Sequence, residues 1–163
     1  MTRFYLASAY HLPCCRNAGA DLAKKIETEI ALATGWEPTA HWHTDFRHGE
    51  TWYAGQAAAT DLEDIRRADI LIFAPLTETS RGTHVELGFA LALGKRVLGW
   101  RPEHIEGTAF DTQTERVPGA IERILVRALE NHRVEDVERA ADEAECERRG
   151  LDSATGRPLE VAR

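Results

Sequence analysis

The chain has 163 residues, 43% of them hydrophobic, which is enough for one well-buried core and short for two. A formal net charge of -7 excludes a surface that coats DNA or RNA, which needs a basic stripe to displace counterions from phosphates, and no apolar run reaches membrane-spanning length. The expected partner is therefore a small molecule, with no nucleic-acid polymer and no membrane; with no signal-peptide pattern and three cysteines that form neither a disulfide framework nor a spaced zinc motif, the expected location is the cytoplasm.

Along the chain, apolar runs alternate with helical periodicity. "RFYLASA" (3–9) reads as a short buried strand, and after Asn17 the residues Leu22, Ile26 and Ile30 fall at helical spacing until Gly35 stops them. Residues 37–43 form a weaker strand candidate, and "AAATDLEDIRRAD" sets Ala58, Leu62 and Ile65 on one helical face. "ILIFAP" (70–75) is the clearest buried strand, followed by a helix over 83–93 and the strand "RVLGW" (96–100). One more amphipathic helix covers 119–133. The order is βαβαβαβ, which predicts an α/β fold with a doubly wound parallel sheet and helices on both faces. The expected domain is 1–133; residues 134–163 read as an acidic helical extension and a mobile tail.

In such a sheet, ligands bind at the carboxyl ends of the strands. The ends to search are Ala7 to His11, Pro75 to Gly82, and the loop beyond Trp100. Glu86 opens the helix after the third strand's loop, within reach of the crevice that also holds Ser8 and its neighbours in "LASAY", and Asp61 on the preceding helix supplies a second carboxylate. Paired acids suit glycosyl transfer: one attacks the anomeric carbon and the other manages the leaving-group proton. Capping chemistry offers a second explanation of Glu86, because a carboxylate in a first helical turn is stabilised by free N–H groups and stays ionised. Asp61 as an exposed helix residue and Tyr5 as plain core are likewise the simpler readings of spacing alone.

The blocks "FYLASAY" and "DLEDIRRADILIFAPLTETSRGTHVELGFALALGKRVL" resemble the nucleoside 2-deoxyribosyltransferase family, whose pattern is Asp, then "AD" leading into a strand, then a glycine-bearing loop and "ELGYA". The resemblance implies a flavodoxin-like sheet, no cofactor, and cleavage of an N-glycosidic bond through a covalent sugar ester. It makes Glu86 in "VELGFA" the nucleophile, Asp61 the residue that handles the base and its proton, and Tyr5 the hydrogen-bond donor to the nucleophile. Phe89 stands where the transferases often have tyrosine. The resemblance further implies a homodimer or larger homo-oligomer, with the loop after Trp100 completing a neighbour's site.

Six residues before Glu86, the nucleoside transferases carry an aspartate for the sugar 5′-hydroxyl, and this chain has Ser80. A serine beside the backbone N–H groups around Gly82 donates to a phosphate that an aspartate would repel. In Ser80, in "GTHVE" and in His41, the chain resembles the related nucleoside 5′-monophosphate N-glycosidases, in which such a histidine faces the base. That favours a 5′-monophosphate substrate; Ser80 as a turn residue, with Glu78 replacing the missing acid, is the other reading. Trp42 is a candidate for stacking on the base. Among His41, His43, Asp45 and His48, the first two would share a strand face, which makes a metal site conceivable, but no further Cys or His cluster completes it and no metal is predicted. Arg16, at a helix entrance, lacks the glycine pattern of a phosphate loop. Two functions of different class remain: an enzyme that cleaves a nucleoside or its 5′-monophosphate, with transfer to another base or to water, and a non-catalytic nucleotide sensor on the same fold.

Overall fold

The structure is a computed structural model that describes residues 1–8, 18–40, 54–76, 81–103, 107 and 112–131. Its elements are β1 (Arg3–Ser8), α1 (Ala18–Thr34), β2 (Glu37–Pro38), α2 (Ala54–Arg67), β3 (Ile70–Ala74), α3 (Arg81–Ala92), β4 (Arg96–Gly99), β5 (Glu115–Arg116), and a last helix α4 over 119–131. The chain divides into two compact units, Met1–Ala128 and Leu129–Arg163, and the first holds every described strand. The expected boundary at 133/134 and the extension beyond it lie outside the described residues.

The five strands form one parallel sheet in the order β2-β1-β3-β4-β5. The chain steps outward from β1 to β2 and then returns across β1 to β3, so the direction of winding reverses between β1 and β3. That reversal opens a crevice at the carboxyl ends of these two strands. The α/β doubly wound expectation holds. Register is tied at the start of the pair: Asp69 N–H donates to the Arg3 carbonyl at 2.9 Å, and the Arg3 N–H donates to Asp69 Oδ2 at 2.8 Å. The "AD" of the sequence motif is thus a splice between β1 and β3, with Ala68 packed inside and Asp69 closing the strand ends.

The buried strands are apolar throughout, as a sheet covered on both faces requires: Phe4, Tyr5, Leu6 and Ala7 on β1 and Ile70 to Ala74 on β3 are all inside. Leu22, Ile26 and Ile30 pack α1 against them as its periodicity predicts. Both Gly35 and Gly94 sit just past a helix in the left-handed region, at φ 71° and 65°, where a side chain would be strained. Lys95 Nζ donates to the carbonyls of Arg66 and Ala68, both at 2.7 Å, placing a cation on the carbonyl end of α2.

Several expectations shift. The first strand ends at Ser8, and the second pairs only through Glu37 and Pro38, with 41–43 outside the described residues. Strand β4 ends at Gly99, one residue short of Trp100. Ala58 is exposed, because the inward face of α2 is set by Ile65 and Ala68 and by the residues one turn before them. Strand β5 was unforeseen: it is two exposed polar residues with no alternation to read. Helix α3 begins at Arg81, two residues earlier than the spacing suggests, and this moves Glu86 out of its first turn.

Candidate active site

Helix α3 carries Glu86 over β1, and the Tyr5 hydroxyl donates to Glu86 Oε1 at 2.9 Å. Because side chains on a strand alternate, Tyr5 and Ala7 project to the face that α2 and α3 cover, while Leu6 and Ser8 project to the face of α1. Asp61 approaches the same point from α2. Its Oδ1 is buried with no hydrogen-bond partner among the described residues. The three residues expected to act together, Tyr5, Asp61 and Glu86, are therefore one cluster beside the winding reversal, each on a different element.

The cluster's electrostatics follow from its dryness. Burial pushes the Glu86 carboxyl up to about 8; the Tyr5 hydrogen bond pulls it back and the Asp61 charge adds to the rise. Asp61 is pushed up to about 6, first by burial and then by the charge of Asp64, with the Tyr5 hydroxyl opposing. Burial, followed by the charges of Glu86 and Asp61, drives the Tyr5 phenol far above its usual range, so it remains a neutral O–H donor. The Asp61 charge thus acts on Glu86 in the same direction as burial, and both carboxyls are held above the ordinary carboxylate range.

These shifts correct the expectation that a helix terminus keeps Glu86 ionised. Glu86 is the sixth residue of α3, and the free N–H groups belong to the first four. Burial governs its charge instead.

Of the other expected site residues, Gly82 is exposed at the second position of α3, and a Cβ there would meet nothing within 4 Å. Ser8 is buried at the end of β1 with its Oγ unpartnered, yet strand alternation turns it to the α1 face, away from the carboxylates. Ser80, His41 and Trp42 lie outside the described residues, as do Glu78, Arg16, His43, Asp45, His48 and both adjacent cysteines. Among the described residues no group of three or more His, Cys, Asp or Glu side chains is placed to hold a metal, and no helix is long and apolar enough to cross a membrane.

Sequence reasoning missed Asp64, which is 2% exposed one helical turn from Asp61. The spacing 61, 64, 65, 68 is a helical face in its own right, and reading it without regard to polarity would have turned both aspartates inward. His84 was quoted only within a motif; its ring meets Phe73 edge-on at 5.2 Å, two residues before Glu86. A neighbouring cavity of about 320 Å³ opens at the ends of β3, β4 and β5, between Phe73, Trp100, Arg101, Thr114 and Arg116.

Two carboxyls raised above their ordinary range, one of them held by a neutral phenol, can supply a nucleophile and an acid to a single bond. No curated protein sequence matches the chain. Among solved structures it is similar to the Clostridium botulinum CMP N-glycosidase BcmB, at 24% identity and a TM-score of 0.48, covering 72% of this chain and 86% of that one. The nucleoside 2-deoxyribosyltransferase family model matches residues 4–145, a span that contains Tyr5, Asp61 and Glu86 as well as all of the sheet but Arg3. The chain belongs to the nucleoside 2-deoxyribosyltransferase family, and is an enzyme that acts on the N-glycosidic bond of nucleosides.

Proposed function

We propose that the enzyme breaks the bond between C1′ and the base nitrogen of a 2′-deoxynucleoside or a nucleoside 5′-monophosphate through a covalent glycosyl ester on Glu86. As the C1′–N bond breaks, a Glu86 carboxylate oxygen bonds to C1′ and Asp61 gives its proton to the departing ring nitrogen. Water or a second base then attacks C1′ from the opposite side, returning Glu86 to a carboxylate, while Asp61 takes up the incoming nucleophile's proton. Tyr5 holds Glu86 in one rotamer and, as a neutral donor, does not compete for the acid's role.

The observation that carries this reading is the pairing of a hydrogen-bonded carboxyl, Glu86, with a carboxyl whose buried Oδ1 has no partner among the described residues, that of Asp61. An orphaned polar atom in a dry crevice is costly unless a ligand meets it, and a base nitrogen accepting a proton is the ligand the family's chemistry brings. A preference for a 5′-monophosphate rests on Ser80 and the loop N–H groups beside Gly82; His41 and Trp42 are the proposed base contacts, and Ser8 serves from the α1 side of the strand end. The active form is a homodimer or larger homo-oligomer, with the segment after Trp100 reaching a neighbour's site.

A panel of nucleosides and 5′-monophosphates, with and without a second free base, tests this by chromatography of released base and exchanged product. A 2-fluoro-arabinosyl substrate should leave its sugar on Glu86, located by mass spectrometry. A sugar adduct on another residue, or turnover of Glu86→Ala at the wild-type rate, would overturn it.

A further inference from the structure

The cavity of about 320 Å³ at the carboxyl ends of β3, β4 and β5 takes no part in the reaction as written. It has the volume of a small ligand site, at the lower end of the roughly 300–1,000 Å³ that such sites span. Phe73 and Trp100 give it an aromatic wall, and an ion pair gives it a polar edge: Arg116 Nη2 donates to Glu122 Oε1 at 2.9 Å and to Oε2 at 3.3 Å. Arg101, the other charged residue of the lining, is already engaged. A glycine shapes the floor. A Cβ on Gly99 would stand 2.2 Å from Thr114 Oγ1 and 2.8 Å from Thr114 Cβ, so only glycine lets Thr114 lie against the end of β4.

The cavity is separate from the carboxyl cluster and adjoins it. Tyr5 pairs in register with Leu71, Ala7 with Phe73, and Phe73 with Gly99, so Phe73 and Gly99 stand on the Tyr5 face of the sheet, one step nearer its carboxyl end. With neighbouring strands about 4.8 Å apart, β4 is about 10 Å from β1. His84, two residues before Glu86 on α3, meets the Phe73 ring edge-on at 5.2 Å, so one aromatic contact links the cavity wall to the helix that carries Glu86.

We infer that this cavity is a second site, distinct from the reacting centre, for a free heterocyclic base, stacked against Trp100 with its amide edge on the Arg116–Glu122 pair. A purine or pyrimidine is flat and stacks on aromatic side chains, and its edge sets a carbonyl acceptor beside an N–H donor. The ion pair offers the complement, guanidinium donors beside carboxylate acceptors, and the bonds between the two do not exhaust the donors of one or the lone pairs of the other. As a unit the pair is neutral. That favours an uncharged base over a nucleotide, whose phosphate would meet Glu122. Chemistry at an N-glycosidic bond brings free base to the enzyme as product or as acceptor. The site does not depend on which residue carries the sugar.

The probes are 5-bromouracil, which has the amide edge and a heavy atom, and uracil. In crystals of the wild-type enzyme soaked with 5-bromouracil, bromine should appear beside Trp100 and Arg116; bromine found only beside Asp61 and Glu86, or nowhere, overturns the inference. In solution, calorimetric titration with uracil should give two bases per chain for wild type and one for Arg116→Met and for Glu122→Leu, each of which removes a hydrogen bond to a charged group and lowers affinity about tenfold or more. Arg116 is exposed and Glu122 half-exposed, so both variants should fold, as a melting curve checks. Asp61→Asn should keep the base in the cavity. Variants at 116 and 122 that still bind two bases, or a wild type that binds one and loses it in Asp61→Asn, overturn the inference. The two readings fail separately: an absent sugar ester on Glu86 overturns the proposed reaction and leaves this site standing.

Discussion

The Tyr5 phenol and the Glu86 carboxyl are joined at 2.9 Å across 81 positions of sequence, one from strand β1 and one from the second turn of α3. The contact ties α3 to β1 and places a neutral donor on one Glu86 oxygen; on the proposed mechanism the other oxygen is the one that attacks. Tyr5→Phe should therefore fold, since the ring is core and the phenylalanine fills the same space. It should lose about ten- to a hundredfold in kcat, the usual consequence of removing a hydrogen bond to a charged group worth about 1.5–3 kcal/mol. Steady-state kinetics beside a melting curve separate the two effects; an unchanged kcat would show that the bond is only structural.

The pH profile reports both carboxyls. Below about 6 both carboxyls are protonated and the nucleophile is lost; above about 8 both are ionised and no acid remains for the base. The expected kcat/KM profile is a bell with limbs near these values, which belong to the pair rather than to either residue. In Asp61→Asn only Glu86 titrates, so any remaining activity should rise with pH to a single plateau. A wild-type profile flat from pH 5 to 9 would contradict the pairing.

Burial of Glu86 has a cost that can be measured without substrate. Its folded pKa, raised to about 8, lies above the ordinary glutamate value, so the folded state binds more protons than the unfolded chain between these pH values and stability falls as pH rises through them. Below the unfolded value nothing is lost. Glu86→Gln removes the ionisation and should melt several degrees above wild type at pH 8, at about 2–4 °C per kcal/mol for a chain of this size, with the difference vanishing near pH 4. Parallel melting curves that show no pH-dependent gap would place the carboxyl in a wetter setting than the fold indicates.

What was legible in the sequence depended on whether one signal had one meaning. The sheet was legible because buried parallel strands are apolar end to end, and β1 and β3 read so without ambiguity. Strand β5 was not, because two polar residues on a sheet edge carry no period. Glu86 and Asp61 came into view from the strand-end argument as a carboxylate pair, but their roles and Tyr5 came through motif resemblance, since spacing alone leaves a tyrosine in a strand and an acid on a helix as ordinary residues. Asp64 was missed because acids in "TDLED" read as a solvated face, and only the packing of α2 on β1 turns Asp64 inward while Glu63 stays outside. The N-terminal dipole argument for Glu86 failed on two residues of helix length.

Helix α3 bears on assembly. Leu87 and Ala90 face the core, yet Val85 is 66% exposed, Leu93 is 44% exposed and Phe89 is only partly covered, beneath Arg66. A helix apolar on more than one side is usually covered on more than one side. Light scattering should find a homodimer or larger assembly at micromolar concentration, and Val85→Asp should weaken it without changing the monomer's secondary structure. A fully active monomer would contradict the proposed assembly.

Ser80 decides whether a phosphate is read. A serine hydroxyl donates to a 5′-phosphate, whereas an aspartate in its place would set a negative charge against a dianion. Ser80→Asp should therefore depress turnover of the 5′-monophosphate strongly and spare the nucleoside. Ser80→Ala should be milder, losing one charge-assisted hydrogen bond, about ten- to a hundredfold in kcat/KM. The deciding quantity is the ratio of kcat/KM for a nucleotide to that for its nucleoside, measured in wild type and in Ser80→Asp. If wild type prefers the free nucleoside and the ratio does not fall in the variant, Ser80 is a turn residue. Glu78 then becomes the partner for the 5′-hydroxyl, and Glu78→Gln should raise KM for the nucleoside while leaving the sugar ester on Glu86 able to form.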